Sequence, residues 1–301
     1  MNESFLLQPL PAGACLGVVA PAGPPKPGVL EQLAPLIEQL GFRAKLFPGC
    51  AGPVALGHLA AADAQRLADL HGAFADPEVD ALLCLRGGYG CIRLLDGLDL
   101  ELLRRHPKPL IGYSDITSLH GALDRLGLPS WHAPMPASDW LKPGGMDDAL
   151  QLAAQLQRGL RAGDVLAPAG LAAQPLSQGG SARGRLIGGN LAVLASSLGT
   201  PWMPDARGAI LFLEDIAEEP YRVDRYLAQL RLAGVLDAAA GFLIGSFSDA
   251  AEAPDAVLAD YLPRLGKPIL AGWPSGHCCP NVALPLGVTL TLDVQGRCLR
   301  A

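Results

Sequence analysis

Charge is scarce in this sequence: 17% of the 301 residues are charged, against 50% that are hydrophobic. That balance argues against wholesale disorder and leaves ample material for a core, in a chain long enough for two domains or one large one. Basic runs are missing, and the net charge is −6. Nucleic acid is disfavoured as a partner, because neutralising phosphates takes clustered Lys and Arg. A local basic pocket for an acidic ligand stays compatible with these numbers. Apolar runs approaching the roughly 20 residues of a spanning helix are also lacking, which argues against the membrane. The N-terminus has Glu3 and no Lys or Arg before its apolar part, so the positive region of a signal peptide is missing. The stretch ending at Cys15 loosely resembles a lipoprotein cleavage site, yet it leads straight into an apparent first strand and reads as mature protein.

The seven cysteines (Cys15, Cys50, Cys84, Cys91, Cys278, Cys279 and Cys298) show no CxxC spacing. The odd count fits reduced, mostly buried thiols in a cytosolic chain. The adjacent pair Cys278-Cys279 has no second pair nearby, which disfavours a metal site there. Two nucleotide signatures are absent as well. Arg86-Gly87-Gly88-Tyr89-Gly90 is not G-x-G-x-x-G, and no Gly-Lys-Ser/Thr occurs.

What is present in the first half is an alternation of short apolar runs with helical patterns. Leu16–Val19 reads as a strand, followed by a Pro/Gly-rich loop and by Leu30, Leu33, Leu36, Ile37 and Leu40 at helical spacing before Gly41. A helix is expected over about 61–74, strands over 81–85 and 109–111, and so parallel βαβ units. Pro143–Gly145 and the Ala/Gly/Gln-rich stretch 161–184 read as a domain connection. Beyond it, strands are expected at 209–213, 241–244, 269–271 and 288–292. A helix over about 220–233 carries Val223, Tyr226, Leu227 and Leu230 on one face. No internal repeat occurs.

Three residues stand where chemistry is feasible. Ser114 follows the buried strand ending Ile111-Gly112 and precedes an apparent helix, a turn that lifts a hydroxyl out of a sheet toward backbone N–H groups. Ile116 occupies the second glycine position of G-x-S-x-G, and a helix N-cap explains Ser114 equally well. Glu214 ends the apolar run Ile210–Leu213, where a carboxylate is costly unless paired or working. A solvated acidic turn with Asp215, Glu218 and Glu219 is the alternative. His277 lies in a loop between strands, bracketed by Gly276 and Pro280. His58, His71 and His106 read as surface and His120 as packing, while His132 is the rival base. Serine, carboxylate and histidine supply a nucleophile, an orienting acid and a general base. The Arg86–Gly90 turn reads as a source of oxyanion donors beside Ser114. Ile187-Gly188-Gly189-Asn190 reads as a second Gly-rich turn, structural or lining the cleft.

Taken in order, several segments together resemble the serine LD-carboxypeptidases, the muramoyl-tetrapeptide carboxypeptidase family. They are Val18–Gly23, Phe74–Pro77 leading to Arg86–Gly90, Gly112–Asp115, Gly188–Asn190, Leu213–Asp215, Glu219–Arg222 with Asp224 and Arg225, and Gly276-His277 with Asn281, Leu284-Pro285 and Gly287. Ala22 and Ala133 depart from the serine and glycine usual there. The resemblance implies Ser114 as nucleophile, Glu214 as orienting acid and His277 as base, with an oxyanion hole from the N–H groups of Asp115 and of Gly87 or Gly88. It implies an α/β fold: a flavodoxin-like N-terminal domain with a parallel sheet, and a smaller β-rich C-terminal domain. The division is expected at 1–165, carrying the nucleophile, and 166–301, carrying acid and base. It further implies a cytoplasmic homodimer without metal or cofactor that cleaves D-Ala from the L-centre of a murein tetrapeptide in peptidoglycan recycling. Arg86, or the adjacent glycine N–H groups, is expected to bind the terminal carboxylate, with a purely structural Arg86 as the alternative. Two rivals remain. One is a relative that cleaves a peptide-nucleotide antibiotic for self-immunity, which an aromatic content of 5% disfavours. The other is a non-enzymatic two-domain binding protein, which leaves the three residues without a common purpose.

Overall fold

The computed structural model describes residues 5–301. Five strands in the first half, Cys15–Val19, Arg43–Leu46, Ala81–Cys84, Leu110–Gly112 and Ser130–His132, pair in parallel. Numbered along the chain, their order across the sheet is 2-1-3-4-5, the flavodoxin-like winding. Four of the five are buried at every residue, as continuous apolar runs in a doubly covered sheet should be. Alternate side chains divide between two layers. Leu16, Val18, Ala81 and Leu83 pack with Leu33 and Ile37 of helix Leu30–Gln39 and with Ala149, Leu152 and Leu156 of helix Gly145–Arg158. Val19, Leu82 and Cys84 pack on the opposite face, against Leu70 and Phe74 of helix Asp63–Ala75 and Leu119 and Leu123 of helix Thr117–Arg125.

The second half carries a seven-stranded sheet. Its order is Ile269–Ala271, Gly241–Ser248, Ile210–Ile216, Ser181–Asn190, Thr289–Asp293, Cys298–Arg300 and Val165–Leu166. The first four strands are parallel and the rest antiparallel. Helix Pro220–Leu232 covers one face through Val223, Leu227 and Leu230, three residues of the expected stripe. The other face contributes Leu186, Phe212, Leu243 and Leu290 to the same cluster as the first sheet and its helices. The halves therefore share one core.

Four features depart from the sequence reading. The segment 161–184 is not merely a connection, because strand Ser181–Asn190 begins inside it. Gly188-Gly189-Asn190 is the end of that strand rather than a turn. A Cβ on Gly188 would sit 2.1 Å from the Phe212 carbonyl oxygen, so glycine is what lets the neighbouring strands close up. Immediately after Pro143–Gly144 the chain forms helix Gly145–Arg158. Finally, Leu284–Leu286 returns from the second half to pair antiparallel with Ser130–His132, with Pro285 opposite Trp131. Proline is tolerated there because this is the sheet's edge. Among the described residues no helix is long and apolar enough to cross a membrane.

Leu284 is fully buried in the shared core. Leu284→Ala should cost about 2–5 kcal/mol of stability, read from the urea midpoint. Because one cluster serves both halves, intrinsic fluorescence and far-UV circular dichroism should report one coincident transition. Two separate transitions would contradict the shared core.

Candidate active site

Strand Leu110–Gly112 delivers Ser114 to a sharp bend. Its φ is +67°, a left-handed conformation rare for a residue with a side chain. Such strain costs on the order of 1–3 kcal/mol and persists only where the surroundings impose it. Ser114–Ile116 form a 3₁₀ turn, and helix Thr117–Arg125 follows without a side-chain cap. The N-cap reading of Ser114 is thus not realised. Instead its Oγ lies 3.1 Å from His277 Nε2.

The loop after the neighbouring strand Ala81–Cys84 lies over this bend. A Cβ on Gly87 would stand 2.8 Å from Ser114 Cβ and 2.9 Å from its Oγ, so only glycine brings the backbone this near. Gly87 carbonyl accepts from Gly23 N–H at 3.2 Å and from Arg86 Nε at 3.1 Å, and Arg86 Nη1 donates to Pro24 carbonyl at 3.1 Å. Arg86, half-buried, thereby ties the turn to the loop after the first strand. These two loops lie outside the carboxyl ends of adjacent strands at the winding's switch point, where open α/β sheets place ligands. Asp115 is buried, and its carboxylate accepts from Cys91 N–H at 2.8 Å, leaving its own backbone amide beside Ser114 and Gly87.

Glu214, on strand Ile210–Ile216, has no exposed surface. Its Oε2 accepts from His277 Nδ1 at 2.8 Å and from the His277 backbone N–H at 3.3 Å. Burial pushes the Glu214 carboxyl up, but the facing imidazoles of His277 and His132 outweigh it and bring it down to about 2. For His277 burial disfavours the charged ring, yet the Glu214 carboxylate prevails and holds its pKa above the ordinary value of 6.5. Gly276 makes this approach feasible, since a Cβ there would sit 2.5 Å from Glu214 Oε2. Asp215 points the other way. It accepts from Asn190 Nδ2 at 2.7 Å and from Ala192 N–H at 2.9 Å, which separates it from the acidic turn weighed as an alternative.

The structure thus brings Ser114, Glu214 and His277 into one hydrogen-bonded chain, with the Gly87 turn and Asp115 alongside. His132, the rival base, is buried beside Glu214 with Nε2 3.9 Å from Oε1. The position facing Ser114 Oγ belongs to His277. His120 packs as expected, its ring nitrogens at 2.8 Å from Ser130 Oγ and from Gly112 carbonyl. Cys278 and Cys279 are free thiols, and no group of three metal-ligating side chains occurs among the described residues.

Several supporting residues were given no role in the sequence reading, although Tyr113 and Asn281 lie in its motifs. Asn281 Oδ1 accepts from Gly276 N–H at 3.0 Å, while Asn281 N–H donates to Asp148 Oδ2 at 3.0 Å. Asp148 belongs to helix Gly145–Arg158, so the first half of the chain anchors the His277 loop. Ser248 Oγ donates to His277 carbonyl at 2.7 Å. Tyr113 lays its ring against His277, centroids 4.8 Å apart, with its hydroxyl on Asp139 Oδ1 at 2.8 Å. The positions of Tyr113 next to Ser114 and of Asn281 in the motif that follows His277 were the available signals.

Comparison with known proteins gives a consistent result. Residues 16–133 match the LD-carboxypeptidase N-terminal domain, and residues 183–292 match the LD-carboxypeptidase C-terminal domain. A probable murein peptide carboxypeptidase of Bacillus subtilis is 41% identical over 292 residues, covering 93% of this chain and 89% of its own. A murein tetrapeptide carboxypeptidase of Pseudomonas aeruginosa is 36% identical over 297 residues, covering 94% of each chain. The crystal structure of a muramoyltetrapeptide carboxypeptidase from Oxalobacter formigenes superposes with a TM-score of 0.81 at 30% identity, covering 95% of this chain and 97% of that one.

The electrostatics are open to direct titration. His277 should keep its proton above pH 6.5, because the Glu214 carboxylate favours the charged ring. Removing that charge leaves burial, which acts in the opposite sense. Titration followed by NMR should therefore place the His277 pKa above 6.5 in the native chain and lower in Glu214→Gln. An unshifted or raised value in the variant would show that the two groups are not coupled.

Proposed function

The chain belongs to the LD-carboxypeptidase family, and from that premise we propose that Ser114, His277 and Glu214 are its nucleophile, base and orienting acid in releasing the terminal D-alanine of murein tetrapeptides. It is a hydrolase, a serine-type carboxypeptidase. The observation that carries the residue assignment is the continuous chain from Ser114 Oγ through both ring nitrogens of His277 to Glu214, at 3.1 and 2.8 Å.

In this mechanism His277 Nε2 accepts the Ser114 proton as Oγ attacks the carbonyl that precedes D-Ala. The imidazolium formed is stabilised by Glu214, which also fixes the ring through Nδ1. Negative charge developing on the carbonyl oxygen is met by the Asp115 N–H and by the N–H of Gly87 or Gly88. His277 then passes its proton to the departing amine, D-Ala leaves, and an acyl-enzyme on Ser114 remains. Water, deprotonated by the same imidazole, hydrolyses the ester and restores the hydroxyl. The free carboxylate of the substrate requires a cation or backbone donors at one end of the crevice, and Arg86 or the adjoining glycine amides fill that role. Arg86 sits at the turn over Ser114, where its Nε and Nη1 already donate to the Gly87 and Pro24 carbonyls, a structural role in its own right.

In this reading the cleft lies between residues 1–165, which hold Ser114, and 166–301, which hold Glu214 and His277. The family resemblance also supports a cytoplasmic homodimer acting on peptides from turned-over peptidoglycan.

Ser114→Ala should lower kcat by about 10⁶-fold while the melting transition stays in place. A Ser114→Ala protein that retains turnover would remove the serine mechanism. The substrate class is tested by chirality. Peptides ending in L-Lys-D-Ala or diaminopimelate-D-Ala should release alanine, and their all-L counterparts should survive, because a misplaced scissile carbonyl can cost about 10²-fold in rate. A nucleotide-linked peptide assayed in parallel should be spared. Equal alanine release from both diastereomers, or faster cleavage of the nucleotide conjugate, would defeat the murein assignment with the triad intact.

A further inference from the structure

His132 is fully buried, and neither of its ring nitrogens has a hydrogen-bond partner among protein groups. Glu214 Oε1 is in the same position, although Oε2 of the same carboxylate is engaged by His277. These unpartnered atoms face one another, with His132 Nε2 3.9 Å from Glu214 Oε1. Buried polar atoms without partners are uncommon in native proteins, and here each group holds what the other lacks, a donor and an acceptor. At 3.9 Å they are too far apart to be bonded, but an approach of about 1 Å closes the gap. Such contacts are often long in a substrate-free site and tighten in the complex.

The surroundings leave His132 little else to do. Its ring meets the aromatic rings of Phe212, edge to face at 4.9 Å, and Tyr113, at 5.4 Å. The nearby His120 ring, 6.4 Å away, is committed to Ser130 and to Gly112 carbonyl. The His132 backbone is held between Gly112 and Leu284, so the ring is presented to Glu214 by the sheet itself.

We propose that His132 is a positioning residue for the hydrolysis, donating from Nε2 to Glu214 Oε1 so that Oε2 stays aligned on His277 Nδ1. This deepens the reading above and rests on it. A carboxylate held through one oxygen can rotate about its last carbon–carbon bond, and that rotation breaks the contact that orients the base. A second donor on the other oxygen prevents it. Two imidazoles then share one carboxylate, of which only His277 exchanges a proton with the reactants. The donation requires His132 as the tautomer with hydrogen on Nε2, leaving Nδ1 bare.

Nitrogen-15 NMR of the native chain reads this without substrate. The expected result is the Nε2–H tautomer for His132, with that resonance displaced in Glu214→Gln; the Nδ1–H tautomer would overturn the proposal. In kinetics, His132→Phe should lower kcat about 10- to 100-fold at nearly constant KM, the scale of small misplacements. His132→Gln, which keeps a donor near Nε2, should recover most of the loss. Adding His132→Phe to Glu214→Gln should cost nothing further, because the residue acts through the carboxylate. Equal losses for the Gln and Phe variants, or additive losses in the double variant, would reduce His132 to packing. Should His132→Phe fail to fold, the tautomer and the Gln variant still decide. Native protein with the Nε2–H tautomer but no release of D-Ala would fail the murein reading alone.

Discussion

A carboxylate with no exposed surface, lying within a buried strand, sets the terms for the rest of this molecule. Glu214 is ionised in its surroundings only because donors meet it there, and the nearest are the ring and backbone N–H of His277. An unpaired buried charge costs several kcal/mol, so the loop that carries His277 has to be held where it is. Gly276 and Gly245 clear the space: a Cβ on either would intrude on Glu214, at 2.5 Å from Oε2 and 3.1 Å from Cβ respectively. Asn281 and Ser248 tie the loop down, and Asp148 reaches it from the other half of the chain.

On the facing side the constraint is conformational. Ser114 occupies a left-handed backbone bend that a side chain resists, at the carboxyl end of a strand buried on both faces. Gly87 above it, Asp115 pinned to Cys91, and the helix that starts at Thr117 over-determine that bend. Strain of this kind belongs where a reactive group must project, and a doubly wound sheet supplies the site by gathering its loops at one edge. The two halves meet across a shared core rather than a hinge-like interface, so neither group can drift relative to the other without disturbing packed side chains such as Phe212 and Leu284.

Much of the first half was legible because strands buried on both faces are continuous apolar runs, and the helix over 30–39 has the i, i+3, i+4 spacing of a one-sided contact. Ser114 and Glu214 were legible for a related reason: a polar residue at the end of such a run is anomalous unless it has a partner. The helix over 145–158 shows the same spacing in Ala149, Leu152, Ala153 and Leu156, but the glycines at its start read as a break. Gly188 and Gly189 misled in the opposite direction. Gly188, read as a turn signal, lets adjacent strands approach, and Gly189 makes room for Thr117, requirements visible only once Phe212 and Thr117 are next to them. The return strand Leu284–Leu286 was hidden by its length and by Pro285, which only an edge position permits.

By itself the sequence determined which segments are buried, that they alternate as an α/β chain, and which serine and carboxylate follow apolar runs, because burial leaves a periodic and compositional trace in the residues concerned. Between His277 and His132 chemistry alone left two candidates, since each neighbours a small residue and nothing local says which imidazole meets the serine. Tertiary structure decided that one ring lies between Ser114 and Glu214 and the other behind the carboxylate. Contact between residues this far apart in the chain depends on how two sheets pack and on which loop an aspartate on a distant helix holds in place. No local pattern records that geometry.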